Sequence, residues 1–379
     1  MNADHPRNSS ARKLRVMQVL ECGGPGGTGN QVAAICNGLD PAAFDSILVY
    51  AVRPGHCPEA YRTAAHGARA AYHVPDMVRE ISPGRDIQAW LRLYAIMRKE
   101  RPDVVHAHSS KAGVLARLAA LLAGVARIFY SPHGYGFLQA DRSRLARLLY
   151  RASEWSVSWI GHIVAVSPNE AALAQGLSWG KTVYTVCDPY LGPAAPPPLQ
   201  PHSGLVVGAC GRMTAARNPE AFVRLAAELC RRLPEARCVW IGAGEKEPEV
   251  LRLAQQLSLG DRFKITGWLD PAAALEHMRG LDVFVHYSRW DALPNAVLEA
   301  MALGLPVVAS DAFGNRDVVT PETTGILAPD ETGLLAGVLR LLGDSRLRQR
   351  FGAAASQRIL SDFSPTSAIA SLQALYKQN

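Results

Sequence analysis

The sequence predicts an α/β protein made of two doubly wound parallel sheets, each with helices on both faces. Three observations predict this fold: short apolar segments alternate with amphipathic ones, glycine-rich turns follow several apolar segments, and a proline-rich stretch at residues 191–204 interrupts the alternation midway. Strands that alternate with helices form parallel sheets, because each helix carries the chain back to the start of the next strand. A chain of 379 residues also suits two cores better than one.

The first half contains five predicted strands with helical patterns between several of them. Residues 14–20 form the first strand, which runs into the glycine-rich turn CGGPGGTGN and a helix with apolar positions at Val32, Ile35 and Leu39. The other predicted strands are residues 46–52, 103–107, 127–131 and 163–167, and the predicted helices are residues 87–101, 109–122 and 169–175.

The second half shows the same alternation of strands and helices after the proline-rich stretch. Its predicted strands are residues 205–210, 237–241, 263–266, 282–286, 306–310 and 325–327, and its predicted helices are residues 220–233, one ending at 257, one starting near 294, and 331–342. We therefore expect a flexible N-terminal tail (1–13), a first domain (14–190), a linker (191–204), a second domain (205–360) and a C-terminal helix (361–379).

Composition narrows the class of protein. With 48% apolar and 19% charged residues, the chain is globular. No apolar stretch reaches the length of a membrane-spanning helix, and the first residues lack the apolar core of a signal peptide, so we expect a cytoplasmic protein. The seven cysteines show no C-x-x-C pair and are most simply core residues in a reducing compartment.

The net charge of +7 lies entirely in the first half. Residues 1–200 carry 21 Lys+Arg against 14 Asp+Glu, whereas residues 201–379 carry 19 of each. A basic half favours a phosphate-bearing partner, either an anionic membrane surface or nucleic acid, and an ordinary solvated surface explains it about equally well. Aromatics interleaved with basic residues on strands are missing, which makes nucleic acid the least favoured partner.

Residues 141–155 have the pattern of a basic amphipathic helix. Arg144, Arg147 and Arg151 alternate with leucines, as in helices that lie on a membrane surface. The alternative is an ordinary surface helix whose leucines face the core.

The segment SRWDALPNAVLEAMALGLPVVAS, residues 288–310, carries the most specific signal. Pro294 suits the start of a helix, and the chain beyond the helix reads as a buried strand. The unpaired N–H groups and the positive dipole end of this helix favour an anion such as a diphosphate. Two carboxylates flank it, Asp291 in the loop and Glu299 one to two turns into the helix.

This segment resembles the signature of the retaining glycosyltransferases of family 4, which have the GT-B fold. The family usually has two glutamates separated by seven residues, followed by Ala-Met-Ala-x-Gly-x-Pro-Val-Val-Ala. Asp291 stands in place of the first Glu, one methylene shorter, and Ala292 stands where Gly is common. The resemblance implies two Rossmann-like domains that face each other across a cleft, with residues 361–379 crossing back to the first domain.

The resemblance also implies roles for this segment. Asp291 would hydrogen-bond the transferred sugar, and Glu299 would bind the ribose hydroxyls of a nucleotide-sugar. The helix start would hold the diphosphate, through Pro294, Asn295, Ala296 and Val297.

Two further motifs in the second half match the family. The loop GRMTAARNP carries Arg212 and Arg217 where the family has Arg and, five residues on, Lys. Two cations there would clamp a diphosphate, although two surface arginines in a loop would give the same string. In ITGWLD, the backbone near Trp268 and Leu269 would hold the nucleobase.

The first half supplies a glycine turn in which Gly26 and Gly27 allow close approach of the backbone to a phosphate or sugar. The turn lacks the arrangement of an NAD-binding unit. The strings HAHSSKAG and PHGYGF occur together in family members that build bacterial surface polysaccharides on lipid carriers. In the second string, His133 matches a histidine beside the donor sugar, with a structural histidine as the alternative. The residues assigned to the acceptor or a phosphate are His108, Ser109, Lys111 and Tyr135, and for Lys111 a plain surface lysine is equally favoured.

We therefore expect sugar transfer with retention from a nucleotide-diphosphate sugar, taken as UDP-linked, to a lipid-linked or growing saccharide of a bacterial surface polysaccharide. The enzyme would need no metal and no cofactor besides this co-substrate, and it would work in the cytoplasm or on the cytoplasmic face of the inner membrane. The alternatives are a nucleotide-sugar epimerase of the same fold and a degenerate, non-catalytic transferase that acts as a scaffold.

Overall fold

The structure is a computed structural model that describes residues 12–378 apart from residues 25, 54, 79, 140–141 and 202–203. Most of the tail expected at residues 1–13 lies outside the described residues. No helix in the described part of the chain is both long and apolar enough to cross a membrane.

The first domain is built on one parallel sheet. Its elements are β1 (Leu14–Gly23), α1 (Gly27–Gly38), β2 (Phe44–Val52), α2 (Pro58–Ala64), β3 (Ala70–His73), α3 (Pro83–Glu100), β4 (Val104–His108), α4 (Ser110–Ala123), β5 (Arg127–Ser131), α5 (Arg144–Val157), β6 (His162–Ala165), α6 (Pro168–Gln175) and β7 (Val183–Thr185). The strand order is β3-β2-β1-β4-β5-β6-β7. The direction of winding reverses between β1 and β4, where ligands of such sheets bind.

The second domain has a parallel sheet of its own. Its elements are β8 (Leu205–Cys210), α7 (Pro219–Arg232), β9 (Ala236–Ile241), α8 (Glu247–Gln256), β10 (Phe263–Ile265), α9 (Pro271–Arg279), β11 (Val283–His286), α10 (Asn295–Ala302), β12 (Val307–Ser310), α11 (Asn315–Val318), β13 (Gly325–Ala328), α12 (Glu331–Gly343) and α13 (Ser345–Asp362), and α14 (Pro365–Lys377) follows it. The order β10-β9-β8-β11-β12-β13 reverses between β8 and β11. Two doubly wound parallel sheets are confirmed.

The strands β3 and β7 were not predicted. Both lie at an edge of the first sheet, contain four and three residues, and are only half-buried. Short edge strands carry little of the apolar periodicity on which sequence prediction depends.

The last helix, α14, lies on the first sheet although it follows the second domain. Its residues Ile369 and Tyr376 are buried in one cluster with Val104, Phe129 and Val164 of β4, β5 and β6. On this face of the sheet α14 packs beside α1 of the first domain. The chain therefore joins the two domains twice, near residue 190 and near residue 364.

Candidate active site

The segment 288–310 folds as a loop, the helix α10 and the strand β12. The helix begins at Asn295, directly after Pro294. The N–H of Val297 donates to the carbonyl of Pro294 at 2.9 Å, and the side chain of Val297 is fully buried. The N–H and the side chain of Val297 are therefore not available to a phosphate, in contrast to the prediction. The N–H groups of Asn295 and Ala296 have no acceptor within the described residues and stay available to an anion.

The carboxylate of Asp291 pairs with the guanidinium of Arg217. The same Arg217 nitrogen, Nη1, donates to Nε2 of His286 at 2.8 Å. Burial would raise the pKa of Asp291, but the charge of Arg217 and the neighbouring His286 outweigh it, so this pKa lies below its usual value. Burial lowers the pKa of His286, whose neutral ring can accept the bond from Arg217. The acid is therefore ionised at neutral pH and fixed by a cation.

The backbone of Asp291 is held from the other side by the loop that follows β12. Its N–H donates to the carbonyl of Phe313 at 3.3 Å. Gly314 has a φ of +88°, and a Cβ there would lie 2.4 Å from the carbonyl oxygen of Asp291. Only glycine meets both conditions without strain. The position of the shorter acid is therefore set by its backbone as well as by its ion pair.

The second acid, Glu299, titrates differently from Asp291. Burial raises the pKa of Glu299 to about 7, against the opposing charge of Arg217. Besides burial, the charge of Glu299 contributes to the raised pKa values of the Tyr190 phenol and the Cys210 thiol. The two carboxyl groups of one motif thus differ in charge state near neutral pH, a pattern typical of functional sites.

Arg212 and Arg217 lie in different surroundings. The side chain of Arg212 is 41% exposed and its Nε lies 3.2 Å from a carboxylate oxygen of Glu245 in the loop after β9. The side chain of Arg217 is 26% exposed and reaches Asp291. Only Arg217 is therefore fixed inside the pocket, whereas Arg212 lies at its rim.

Loops of the two domains meet directly in front of α10. A Cβ on Gly27 would lie 2.9 Å from Nδ2 of Asn295, whereas a Cβ on Gly26 would meet nothing within 4 Å. A Cβ on Gly134, in the loop after β5, would lie 3.4 Å from the ring of Trp290. The glycine turn and the PHGYGF loop therefore come within contact distance of side chains of the second domain, and open space remains beside Gly26.

His133 lies in this loop with both ring nitrogens engaged. It has a φ of +49°, its Nδ1 lies 3.1 Å from Oδ2 of Asp188, and its Nε2 lies 3.0 Å from Nδ1 of His108. Burial would lower the pKa of His133, but the carboxylates of Asp188 and Glu170 outweigh it and the pKa is raised. The side chain is 5% exposed, so it forms the floor of the cleft.

Behind His133 a chain of hydrogen bonds reaches the C-terminal helix. His108 Nε2 lies 2.7 Å from Oε1 of Gln18, whose Nε2 donates to the Tyr376 hydroxyl at 3.2 Å. That hydroxyl lies 2.6 Å from Nδ1 of His106, and His106 Nε2 lies 2.9 Å from Oγ of Ser131, which donates to the Val164 carbonyl at 2.7 Å.

Only one direction of donation satisfies every member of this chain. Traced back from the Val164 carbonyl, each donor is fixed in turn, and His133 must donate from both nitrogens, as a positively charged imidazolium. The pKa values of His106 and His108 are lowered, chiefly by burial, so these two rings are neutral. The network thus places a positive charge at the floor of the cleft.

Three of the residues predicted to meet the acceptor or a phosphate lie elsewhere. His108 is fully buried behind His133 and cannot reach a phosphate in the cleft. Nζ of Lys111 lies 2.6 Å from a carboxylate oxygen of Asp86 on α3, so it is neither a plain surface lysine nor an unpaired cation. Tyr135 is 1% exposed and packs in the core against Phe137. Long-range packing, which the motif does not encode, decides all three.

The remaining predicted residues are Ser109, Trp268 and Leu269. Ser109 starts the turn into α4 with a φ of +66° and lies 3.4 Å from Sγ of Cys22. Trp268 is 66% exposed on the loop after β10, and Leu269 packs partly against the core. That loop pairs with Gly242 through Gly267.

The site contains functional candidates that sequence reasoning missed. Glu170 on α6 accepts from the N–H of Gly134 at 2.8 Å and so fixes the PHGYGF loop; burial raises its pKa to about 7. Asp188 orients His133, and His286 orients Arg217. Asp188 lies just before the linker and His286 ends β11, and only their place after a strand could have signalled them.

A cavity of about 520 Å³ lies behind the floor of the cleft, between α1, α14 and the ends of β4, β5 and β6. His133, Asp188 and Gln31 line its inner end. Gln31 also donates to the Pro189 carbonyl at 2.9 Å and lies 3.4 Å from Asn295, so it separates the cavity from α10.

Two doubly wound domains, with a cleft between them that contains Arg217 and the start of α10, define a glycosyltransferase of the GT-B class. Comparison with known proteins agrees. Residues 25–181 match the family model described as Glycosyltransferase Family 4, and residues 197–358 match that described as Glycosyl transferases group 1. The chain therefore belongs to the family 4 glycosyltransferases, as its motifs suggested.

Relatives of known name share this class. The chain is 27% identical over 281 residues to the UDP-Gal:alpha-D-GlcNAc-diphosphoundecaprenol alpha-1,3-galactosyltransferase of Escherichia coli, covering 68% of this chain and 70% of that protein. It is 25% identical over 321 residues to the lipopolysaccharide core biosynthesis glycosyltransferase LpsD of Rhizobium meliloti, covering 83% and 84%.

Solved structures confirm the fold. The sucrose-phosphate synthase of Thermosynechococcus elongatus superimposes with a TM-score of 0.80 at 18% identity, over 97% of this chain and 99% of that one. Alr3699/HepE of Anabaena, solved in complex with UDP and glucose, gives a TM-score of 0.78 at 14% identity, over 96% and 99%.

Proposed function

We propose that this enzyme transfers a sugar, with retention of anomeric configuration and without a metal ion, from a UDP-linked donor to a lipid-linked or growing saccharide in the synthesis of a bacterial surface polysaccharide. The names of the two relatives support this substrate class, since one acts on a diphosphoundecaprenol-linked sugar and the other on the lipopolysaccharide core. The complexes of Alr3699/HepE with UDP and UDP-glucose support the donor.

One observation carries the proposal: Arg217 pairs with Asp291, four residues before α10, and the first N–H groups of that helix have no acceptor within the described residues. We place the leaving diphosphate between this cation and the helix start. As the bond to the anomeric carbon breaks, negative charge collects on that diphosphate, and fixed positive groups stabilise it. Arg212 at the rim adds a second cation. The imidazolium of His133, in the loop that meets Trp290, adds positive charge from the opposite domain.

The two acids take different parts in this proposal. Glu299 accepts from the ribose hydroxyls of the donor, and Asp291 hydrogen-bonds the sugar while it holds Arg217 in place. The acceptor hydroxyl attacks on the face from which the diphosphate leaves, so no carboxylate is assigned as a nucleophile. Positioning of donor and acceptor then supplies most of the rate.

The proposed acceptor is carried on a lipid. We therefore place the enzyme at the cytoplasmic face of the inner membrane, as a peripheral protein that meets anionic lipid through its basic first domain.

A donor-binding experiment tests the pocket. UDP, UDP-glucose, UDP-galactose and UDP-N-acetylglucosamine are screened by thermal shift, because a ligand that binds only the folded state stabilises it. We expect at least one to raise Tm, and Arg217→Ala and Glu299→Gln to reduce the shift. Arg231→Ala, on an exposed arginine of α7, is the matched control. No shift in the wild type, or an undiminished shift in both variants, would contradict the donor site.

Product analysis separates transfer from its rivals. Incubation with donor and acceptor in EDTA should yield UDP and an α-linked product from an α-linked donor, with the anomer read by NMR. An isomeric nucleotide-sugar formed without acceptor would identify an epimerase, and binding without any product would identify a scaffold.

A further inference from the structure

The helix α5 presents apolar side chains to solvent and not to the core. Its residues Leu145, Leu148 and Leu149 are 66%, 63% and 54% exposed, and Trp155 is 52% exposed. The alternative in which these leucines face the core is thereby excluded. Inward contacts of the helix come mainly from Glu154 and Val157, which are buried, and from half-buried positions between them.

The apolar surface continues beyond the helix. Trp159, just after α5, is 45% exposed, and Trp179, after α6, is 51% exposed. The rings of Trp155 and Trp179 lie 4.7 Å apart, which joins the two segments into one patch. We call the exposed leucines and tryptophans, with Arg144 and Arg151, the α5 surface. A contiguous exposed apolar patch of this kind marks an interaction site.

Charge decides which partner fits. Arg144 and Arg151 flank the patch and are exposed. The one acid within α5, Glu154, is turned inward, where it pairs with the buried Arg117 at 3.1 Å. Leucine and tryptophan between arginines, without an exposed acid, match an interface of acyl chains beneath anionic headgroups.

The inner side of α5 holds the loop that carries His133. Arg147 Nε donates to the carbonyl of Phe137 at 2.9 Å, and a Cβ on Gly136 would lie 3.1 Å from the ring of Tyr150. A surface bound through α5 is therefore connected, by one loop, to the floor of the cleft.

We propose that the α5 surface docks on an anionic lipid bilayer and so presents the cleft to an acceptor anchored in that bilayer. The proposal rests on the proposed function for its acceptor, but lipid binding is measured separately. The proposed partner is a membrane, not a second copy of the chain or another protein.

Vesicle co-sedimentation tests the proposal. The full chain should pellet at low salt with vesicles of phosphatidylcholine and phosphatidylglycerol, and less with phosphatidylcholine alone. The combined variant Leu145→Ser, Leu148→Ser and Leu149→Ser should lower partitioning on the order of tenfold, since three exposed apolar side chains are lost. Arg144→Glu with Arg151→Glu should remove the preference for anionic lipid. Leu251→Ser with Arg252→Glu, on the exposed face of α8, is the matched control and should bind as the wild type does.

Transfer assays with two kinds of acceptor distinguish failure of membrane docking from failure of the proposed function. Transfer to a water-soluble acceptor should be unchanged in the leucine variant, whereas transfer to a lipid-linked acceptor in vesicles should fall. Failure of the wild type to pellet, or equal pelleting of the leucine variant, would overturn the proposal even if transfer is observed. A wild-type dimer that the leucine variant dissociates, without vesicle binding, would overturn it in favour of a second copy.

Discussion

The ion pair between Arg217 and Asp291 joins the loops that follow β8 and β11, the two strands between which the second sheet reverses its winding. A single guanidinium nitrogen binds both Asp291 and His286, so the cation is fixed before any donor arrives. A fixed cation stabilises a leaving diphosphate more effectively than one that must reorganise during the reaction.

Replacing the two loop arginines should therefore have unequal effects. We expect Arg217→Ala to lower kcat/KM about 10²-fold, as loss of one preorganised charge-stabilising group typically does. Arg212→Ala should cost less than about tenfold, because an exposed charge at the rim is screened. Steady-state kinetics at varied donor concentration measures both, and equal losses would contradict the distinction.

The length of Asp291 is matched to Arg217 in this site. Asp291→Glu alone should lower kcat about tenfold, because Gly314 fixes the backbone and the longer acid then misplaces the guanidinium. The double variant Arg217→Lys with Asp291→Glu should recover part of this loss, since residues in contact are not additive. Activity and donor preference are compared across the four-member cycle. An unchanged Asp291→Glu enzyme would show that the missing methylene is irrelevant.

Local motifs in the sequence predicted both parallel sheets and the loop, helix and strand that carry Asp291 and Glu299. The segment 288–310 predicted the start of α10, the two carboxylates and the strand β12, because these features depend on residues within one short stretch of the chain. The partners of these residues could not be read in the same way. Asp86, which neutralises Lys111, lies 25 residues away, and Tyr376 lies 358 residues from Gln18. Pairings over such separations are set by the fold, so patterns near a motif carry no information on them.

The raised pKa of Glu299 predicts a dependence of stability on pH. In the unfolded chain this carboxyl titrates near its usual value of 4.5, whereas in the folded protein its pKa is about 7. Its contribution to the free energy of unfolding is therefore fully present below the unfolded pKa and is lost as pH rises through about 7.

Glu299→Gln should remove the part of this slope that Glu299 contributes. The variant should be more stable than the wild type at pH 8, since a buried charge is lost, and should bind donor less well, since a neutral amide replaces the carboxylate that accepts from the ribose hydroxyls. Urea unfolding at pH 5.5, 7 and 8 measures the difference. A variant whose slope equals that of the wild type would contradict the burial of Glu299. Glu170, whose pKa is also about 7, contributes equally to both proteins and cancels.

The hydroxyl of Tyr376 ties the C-terminal helix to the sheet of the first domain. Tyr376→Phe leaves Nε2 of Gln18 and Nδ1 of His106 each without its buried partner, at a cost of about 1–3 kcal/mol in unfolding free energy. Tyr184→Phe is the control, because the Tyr184 hydroxyl makes only a long, exposed contact of 3.4 Å to Gln378. Chemical denaturation should show the loss in the first variant alone.

The same network predicts the protonation state of His133. With the direction of every donor fixed from the Val164 carbonyl back to Asp188, His133 must carry a proton on both ring nitrogens near neutral pH, whereas His106 and His108 each carry one. Nitrogen-15 spectra of histidine-labelled protein distinguish these states directly.

Asp188→Asn removes the carboxylate that raises the pKa of His133, so the pH at which the doubly protonated signal is lost should become lower. The donor KM should rise with it, because positive charge at the floor of the cleft is lost. A neutral His133 at pH 6.5 in the wild type would contradict the assignment, and an unshifted titration in Asp188→Asn would show that Asp188 does not set it.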